Sequence, residues 1–524
     1  MCGLLFQTSK KGTEKDFKEA LASMHHRGPD AMQSWTDGKT TRLGLTRLSI
    51  QDLDPRSNQP FFAANHKHVI VFNGEIYNFQ ELKKQFDIKT RTTSDTEVLV
   101  ELFVKLGEKM LDHLNGMFAF VILNTETKEI FAARDRLGIK PLYMYQQDKE
   151  LVFSSEIRAV LKLANKQDFD PVGIRQYLKA RAFFNGHTLY KNIKMFPAGY
   201  YYRNGHFYKY WSLPTKPKTR EWLDDEIRDL VESAVEYRCI ADVPVGSYLS
   251  GGVDSTIVAT LTGKPDTWTV GFEEMNEFEW GRLAADKLGV SHNEILLDRD
   301  EFLDLAKMLV EVRQEPLSVP NEVLIYKMSK AVKKKNTVVL SGEGADELFY
   351  GYDRIFRWAN EGKWDLSDFD EKYSYGKHVD NEILINILEP YEGRKDCLDK
   401  VSAFFQIGHL HGLLRRLDNS TMMCSVEARV PFVDHRLIEY MYGAPVSYRM
   451  AGGVVKHPLK QIFSDILPKE IINRRKVGFP VPLAEIFSTK DRLGMDSWLD
   501  FNMNLLVGEN WPDYKEELFN QIEA

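Results

Sequence analysis

The sequence predicts an α/β protein of two domains, and three observations lead to that class. Its 524 residues are more than one hydrophobic core normally holds. In the second half, short apolar runs alternate with segments of helical period, which is typical of a mostly parallel, doubly wound sheet. The first half instead has strand-like segments separated by turns. We expect one domain over residues 1–210 and another over 211–524, with a linker at 211–218.

The composition excludes several classes of protein. The formal net charge is −7 and no dense stripe of Lys or Arg occurs, so nucleic acid is not an expected partner. No apolar stretch has the length of a membrane span, and no signal peptide is recognised. The four cysteines lie far apart without a CxxC pair, which disfavours a zinc site or a disulfide framework. A reducing, cytoplasmic location is expected.

In the N-terminal half, residues 13–24 are predicted to form a helix that Thr13 caps. Strands are expected at 43–50 and 69–73, with a turn at 58–60 between them. A further helix is expected to begin at Ser94 or Asp95 and to end near residue 106.

Cys2 becomes the first residue if the initiator methionine is removed. It then carries a nucleophilic thiol and an α-amine, with a reference pKa of about 8, that can accept the thiol proton. The alternative is that a small residue simply follows Met1.

Asn73 and Gly74 end the second predicted strand and also allow two interpretations. An Asn side-chain amide beside a Gly backbone N–H can stabilise a tetrahedral oxyanion. The same dipeptide is also typical of a hairpin turn.

The C-terminal half has the alternation that a parallel sheet needs. Strands are predicted at 267–272, 292–297 and 337–341, and helices at 222–237, 279–288, 301–312 and 322–333. After residue 349 the alternation stops and helices dominate. Ligands of such sheets bind at the carboxyl ends of strands, and two motifs lie at those positions.

The first motif is Ser250-Gly251-Gly252-Val253-Asp254-Ser255, between a strand and a helix. A glycine turn at a helix N-terminus lets backbone N–H groups bind a phosphate, although the lysine of a Walker A loop is missing. A plain turn with Asp254 as helix cap is the alternative.

The second motif, Ser341-Gly342-Glu343-Gly344-Ala345-Asp346-Glu347, holds three carboxylates. Alone it could be an acidic turn. Paired with the first motif, it suggests that Asp254 and Asp346 bind Mg²⁺ on the phosphates of ATP.

Seven motifs together resemble the class II glutamine amidotransferase domain over roughly residues 2–205. They are Cys2-Gly3, Arg27-Gly28-Pro29-Asp30, Arg47-Leu48-Ser49-Ile50, Asn73-Gly74-Glu75-Ile76-Tyr77-Asn78, Ser94-Asp95-Thr96-Glu97 and the segments 115–120 and 134–143. The resemblance implies the N-terminal-nucleophile fold, an αββα sandwich of two antiparallel sheets between helical layers. It implies that Cys2 attacks the side-chain amide of glutamine and releases ammonia. The implied roles are an oxyanion hole at Asn73 and Gly74, and glutamine binding at Arg47, Asn73, Glu75 and Asp95.

The first C-terminal motif resembles the pyrophosphate loop of the N-type ATP pyrophosphatases, and the second resembles the asparagine synthetase family. The segments 414–418 and 425–434 continue the latter resemblance. It implies that ATP adenylylates a carboxylate, that Glu343 takes a proton from the attacking ammonia, and that Lys476 lies near the phosphates. The implied ATP contacts are Leu249, Ser250, Gly251, Gly252, Asp254, Ser255, Ser341 and Gly342.

One segment departs from that family. Residues 315–322, where family members contact the acceptor, lack the Thr-x-Arg-Ala-Ser pattern of the better-studied asparagine synthetases. We therefore expect glutamine-dependent amidation of a carboxylate, with aspartate as leading acceptor and a uronic acid or another small acid as runner-up. A β-lactam-synthetase-like cyclase is disfavoured because Cys2, Asn73 and Asp95 are retained, and intact site residues disfavour a non-catalytic binding protein. A homodimer is one option for the assembly.

Overall fold

The computed structural model describes residues 2–164, 167–214, 221–263, 265–374, 379–474, 480–489 and 494–523. The predicted linker therefore lies partly outside the described residues, and the domain boundary at residue 210 remains a prediction. Lys476 also lies outside them.

Twelve short strands form two antiparallel sheets in the N-terminal part of the chain. They are β1 Cys2–Thr8, β2 Ala31–Thr36, β3 Thr41–Arg47, β4 Phe61–Phe62, β5 His68–Ile76, β6 Gly116–Asn124, β7 Ile130–Arg134, β8 Tyr143–Gln147, β9 Glu150–Ser154, β10 Ile193–Met195, β11 Tyr200–Arg203 and β12 His206–Lys209. The first sheet has the order β10-β8-β9-β1-β3-β2, and the second β12-β11-β7-β6-β5-β4.

The two sheets pack face to face because alternate residues along their strands are apolar. Leu4 and Phe6 of β1 meet Val69 and Val71 of β5 in the core between the sheets, whereas Leu5 points to the outer face. The outer faces are covered by four helices: α1 Glu14–Ala22, α2 Phe79–Gln85, α3 Asp95–Leu106 and α4 Ile157–Leu163. The first and last pack on the first sheet, and the other two on the second. The predicted αββα sandwich is confirmed.

Of three local predictions, one is confirmed and two are corrected. Thr13 does cap α1, in a reciprocal capping box with Asp16. The strand expected at 43–50 is shifted to Thr41–Arg47, since its pairing with β1 runs from Thr41 to Arg47. The hairpin-turn interpretation of Asn73-Gly74 is wrong, because both residues lie inside β5 and pair with β6.

The C-terminal part is built on a five-stranded parallel sheet of order β15-β14-β13-β16-β17. Its strands are β13 Val245–Tyr248, β14 Thr267–Gly271, β15 His292–Leu296, β16 Val338–Leu340 and β17 Glu427–Arg429. One further helix, α5 Pro171–Ala180, lies between β9 and β10 in the N-terminal part. The helices of the C-terminal part up to β16 are α6 Asp224–Cys239, α7 Val253–Thr262, α8 Phe278–Leu288, α9 Arg299–Arg313 and α10 Asn321–Val332. The predicted parallel α/β architecture is confirmed.

Helices dominate after β16, as predicted. They are α11 Ala345–Leu348, α12 Asp353–Glu361, α13 Leu366–Tyr373, α14 Asn381–Leu388, α15 Cys397–Ala403, α16 Leu410–Met422, α17 His435–Met441, α18 Val446–Arg449, α19 His457–Ile462, α20 Lys469–Asn473, α21 Leu483–Ile486, α22 Met495–Val507 and α23 Trp511–Glu523. The short strand β17 is the exception. Its two charged residues, Glu427 and Arg429, are fully buried.

Candidate active sites

The candidate nucleophile lies where the two N-terminal sheets meet. Cys2 begins β1 and pairs with Arg47 on β3. Its backbone N–H donates a hydrogen bond of 3.0 Å to Oδ1 of Asn73, on the other sheet. The Asn73 amide in turn donates to the Ser155 hydroxyl at 3.4 Å. The fold therefore brings together three residues that lie far apart in the chain: Asn73 is 71 positions from Cys2, and Ser155 is 82 positions from Asn73.

The Cys2 thiol lies in a buried environment that resists ionisation. The residue is 6% exposed, and burial raises the pKa of its thiol. A hydrogen bond from the Leu48 backbone and the charge of Arg47 oppose this effect in part. The thiol therefore needs a base close by before it can act as a nucleophile.

Neutral acceptors hold the guanidinium of Arg47. Its Nη1 donates to Asn58 Oδ1 at 2.8 Å and to the Asp54 carbonyl at 3.2 Å. Its Nη2 donates to the carbonyl oxygens of Gln51 and Asp52. These bonds fix the orientation of the guanidinium without cancelling its charge, so the charge remains available to an anion.

Two of the predicted glutamine-binding residues are buried carboxylates, Glu75 on β5 and Asp95 at the start of α3. Glu75 accepts a hydrogen bond from Gln51, and Asp95 accepts one from the Ile76 N–H at 2.9 Å. Burial raises the pKa of Asp95 to about 6 and raises that of Glu75 well above its usual range. A cation bound beside them would stabilise their ionised forms. One cationic and two acidic side chains form an arrangement that suits a zwitterionic amino acid.

The first C-terminal motif forms a tight turn at the carboxyl end of β13. Gly251 has a φ of 70°, a conformation that glycine adopts at little cost. Gly252 caps the ten-residue helix α7, and the hydroxyls of Ser250 and Ser255 lie 3.2 Å apart. Leu249, which precedes the turn, is fully buried. Free N–H groups at such a helix N-terminus favour a phosphate.

The second motif follows β16, the strand that pairs with β13. Its loop lies so close to the first that a Cβ on Gly342 would be 2.9 Å from Cβ of Asp254. Ser341 is buried beside it, and its hydroxyl accepts the Glu343 N–H at 3.3 Å. The two loops predicted to contact ATP therefore form one continuous surface.

Lys456 joins the two predicted metal ligands. Its Nζ forms ion pairs with Asp254 and, at 2.7 Å, with Asp346. These two carboxylates raise the pKa of Lys456 above its usual range despite burial, which opposes its charge. The pairing shows that the carboxylates are close enough to share one cation, and their oxygen donors suit Mg²⁺. In the part of the chain that the structure describes, no group of three or more His, Cys, Asp or Glu side chains is placed to hold a metal.

Glu343 lies on the same loop but has a different partner. Its Oε1 is 2.7 Å from Nη2 of Arg416, whose Nη1 donates to Asn321 at 3.2 Å. Asn321 belongs to the segment 315–322, so Arg416 connects the predicted base to the predicted acceptor region.

Sequence reasoning missed Lys456 and Arg416. Arg416 stood in a segment that carried the family resemblance, but no spacing linked it to Glu343. Lys456 lies 202 residues from Asp254 and 110 from Asp346, in a stretch with no motif. Lys476, the lysine that the family resemblance singled out, is outside the described residues.

Comparison with known proteins agrees with both halves of the chain. The profile of the family described as asparagine synthase matches residues 226–499, and that of the glutamine amidotransferase domain matches residues 1–211. The chain is 29% identical to glutamine-hydrolyzing asparagine synthetase 1 of Bacillus subtilis (strain 168), over 95% of this chain and 89% of that protein.

Two further relatives are comparably similar. The chain is 30% identical to glutamine-hydrolyzing asparagine synthetase 2 of Oryza sativa subsp. japonica, over 96% of this chain and 80% of that protein. It is 28% identical to amidase chry2 of Gibberella zeae, over 90% and 86% respectively. None of the described helices is long and apolar enough to cross a membrane.

Proposed function

The chain belongs to the glutamine-hydrolysing asparagine synthetase family, and from this premise we propose that its two sites carry out one amidation in sequence. It is a ligase that takes nitrogen from glutamine and uses ATP as a substrate to amidate a carboxylate. The observation that carries the proposal is that loops 250–255 and 341–347 converge at the ends of paired strands, in the same chain as a site suited to glutamine.

At the N-terminal site, Cys2 is the proposed nucleophile. With Met1 removed, its α-amine takes the thiol proton, and the thiolate attacks the side-chain carbonyl of glutamine. Asn73 and the Gly74 N–H stabilise the oxyanion that forms. The C–N bond then breaks, the proton passes to the leaving ammonia, and water hydrolyses the thioester to glutamate. Arg47 binds the α-carboxylate of glutamine, and Glu75 and Asp95 bind its α-ammonium.

At the C-terminal site, residues 249–255 with Ser341 and Gly342 bind ATP in our proposal. A carboxylate oxygen of the acceptor attacks the α-phosphorus, and pyrophosphate leaves. Asp254 and Asp346 would hold Mg²⁺, which supplies charge neutralisation on the phosphates when bound. Lys456 then turns from these carboxylates toward the phosphates. Glu343 takes a proton from the ammonia that attacks the acyl-adenylate, and AMP leaves with the amide formed. The proposed route for ammonia between the sites is an internal channel.

Aspartate is the acceptor that we propose first, since both synthetase relatives named above carry asparagine in their names. A different small acid is the second candidate. The segment 315–322 favours this second candidate, because it lacks the Thr-x-Arg-Ala-Ser pattern of the better-studied asparagine synthetases. Two of its acidic residues form ion pairs within the protein instead, Glu322 with Arg313 and Glu315 with Arg415. A relative named as an amidase is compatible with such variation.

The test is a screen of carboxylic acids with glutamine and Mg·ATP, in which pyrophosphate, AMP and amide are measured separately. Aspartate should give stoichiometric pyrophosphate, AMP and asparagine. Amide from a uronic acid but not from aspartate would select the second candidate. Glutamine hydrolysis with no pyrophosphate from any acid would contradict the proposed coupling of the two sites.

A further inference from the structure

The glutamine site contains a residue from the opposite half of the chain. Arg429 lies on β17, the edge strand of the parallel sheet, and its Nη2 is 3.7 Å from Oε1 of Glu75. Its Nε donates to Glu427 at 2.5 Å, and both residues are fully buried. The guanidinium also lies over the ring of Tyr77, 5.5 Å from its centroid. The cation that faces Glu75 is therefore supplied by the synthetase half.

A second contact joins the same two halves at the rim of the site. The exposed Asp242 accepts a hydrogen bond from the Asp52 N–H at 2.7 Å, and its own N–H donates to the Ile50 carbonyl at 2.8 Å. A cleft of about 510 Å³ opens along this contact and is lined by Gln51, Tyr77, Thr93, Tyr237, Ile240 and Asp242. Both halves of the chain thus form its walls.

Asp52 connects this rim contact to both charged ends of the glutamine site. The Asp52 carbonyl accepts a hydrogen bond from Arg47. Its side-chain Oδ2 accepts a hydrogen bond of 2.8 Å from the N–H of Thr93, a residue two positions before Asp95. A shift of Asp52 would therefore displace the acceptor that orients Arg47 and the loop that carries Asp95.

Arg429 also fixes the segment that reaches Asp52. Its Nη1 donates to the carbonyl oxygens of Arg238 and Ile240, at 2.8 and 2.7 Å. Three residues after Asp242, β13 begins, and its far end carries the nucleotide loop. The buried contact and the rim contact therefore belong to one connected arrangement.

We propose that Arg429 and Asp242 are positioning residues of the glutamine site, so that the synthetase half sets the affinity of the glutaminase half for its substrate. This inference rests on the proposed glutamine-dependent function. The two residues touch no reacting atom. They act through Glu75 and Asp52, and their removal is expected to change glutamine binding more than turnover.

The experiment measures KM and kcat for glutamine hydrolysis, together with amide synthesis from ammonia, in full-length variants. Asp242→Ala should raise KM for glutamine about threefold, because one partly exposed hydrogen bond to a charged group is lost. Asp242→Asn keeps an acceptor oxygen and should restore most of the affinity. Asp225→Ala removes an exposed aspartate on the preceding helix and serves as the matched control.

Arg429→Lys is the variant for the buried contact. It keeps the charge but loses the planar geometry that reaches Glu75 and two carbonyls at once, and it should raise KM for glutamine about tenfold. Synthesis of the amide from ammonia should be unchanged in Asp242→Ala and in Arg429→Lys. If Arg429→Lys does not fold, as judged by its thermal unfolding, the two Asp242 variants decide alone.

Three outcomes would overturn the inference: an unchanged KM in Asp242→Ala, a fall in kcat without a change in KM, or an equal loss of ammonia-dependent synthesis. Failure of the proposed function is recognised separately, since the unmodified enzyme would then hydrolyse no glutamine.

Discussion

Arg47 of the proposed glutamine site and Lys456 of the proposed nucleotide site are held in opposite ways. In the first, neutral oxygens orient Arg47 and leave its charge unbalanced. In the second, charged residues neutralise one another: Lys456 pairs with Asp254 and Asp346, and Glu343 pairs with Arg416. The first site is prepared for a zwitterion before it arrives. In the proposed mechanism, the second would exchange its internal ion pairs for contacts with ATP and the acceptor.

This difference has an energetic consequence. The hydrogen bonds that orient Arg47 already exist in the folded protein, so the Arg47 side chain needs little rearrangement to bind glutamine. In the proposed mechanism, binding of Mg·ATP would displace Lys456 from the two carboxylates, and a cation would take its place there, because two carboxylates close together repel each other. We therefore expect substitutions to affect the first site mainly through chemistry and the second also through the stability of the ligand-free protein.

The strongest test removes the nucleophile. Cys2→Ala should reduce glutamine-dependent synthesis to background, because no other group in the proposed site can form the thioester. Synthesis from ammonia should be retained, which shows that the nucleotide site is intact. Glutaminase activity that survives in the purified variant would refute the assignment.

Replacement of the proposed base tests the nucleotide site. Glu343→Gln should reduce amide formation by ~10²–10⁴, the usual cost of losing a general base. Adenylate should still form, and transfer of oxygen-18 from the acid to AMP detects it. Asp254→Asn is the matched comparison, since it should suppress adenylate formation itself. If Glu343→Gln forms no adenylate either, Glu343 belongs with the phosphate-binding residues.

Loss of an oxyanion donor comes next in size. Asn73→Ala should lower the rate of glutamine hydrolysis by ~10²–10³, the usual effect of removing one such donor. Its KM for glutamine should change much less. A collapse of affinity with normal turnover would instead make Asn73 a binding residue.

The ion pairs of the nucleotide site are tested by Lys456→Met. Two carboxylates then face each other without the lysine, and the free energy of unfolding should fall by roughly 3 kcal/mol, as for a broken buried pair. Thermal unfolding with and without Mg·ATP measures this, and Mg·ATP should recover part of the loss. Equal destabilisation at the exposed pair Arg357–Asp353, broken by Arg357→Met, would contradict the special role of Lys456.

The smallest expected effect is a pH dependence of glutamine binding. The raised pKa of Asp95, about 6, means that the carboxylate is ionised above that pH and protonated below it. Because only the ionised form attracts an ammonium group, KM for glutamine should rise as pH falls below about 6, by up to tenfold per unit. Asp95→Asn should have a high KM that depends less on pH in this range, with Glu75 as the remaining carboxylate that titrates. A flat profile in the unmodified enzyme would place the ammonium elsewhere.

Much of the architecture could be predicted because it depends on local patterns. The capping box at Thr13, the parallel alternation and the two strand-end loops are all encoded over a few residues. Strand β17 was not predicted, because it depends on contacts with residues that are distant in the sequence. Its three residues include two charges, and only burial against Glu75 and the carbonyls of 238 and 240 explains why they lie in a sheet.

The residues of the candidate sites also differ in whether a local motif or only a distant contact identifies them. Cys2, Asn73 and the glycine loops stand in motifs, whereas Lys456 reaches Asp254 through tertiary packing alone. Basic residues are frequent on surfaces, so nothing in the sequence distinguishes this lysine from the others until the fold is known. Arg416 illustrates the same limit, since its contact with Glu343 joins positions 73 apart.

The close approach of Gly342 to Asp254 also limits how this protein can evolve. Any side chain at 342 would collide with the neighbouring loop, so substitutions in either loop must be compatible with the other. The segment 315–322 runs from the connection between α9 and α10 into the first turn of α10, and its contact with the second loop passes through the side chain of Arg416. Selection for a new acceptor can therefore act on that connection while the machinery that activates the acid is inherited unaltered.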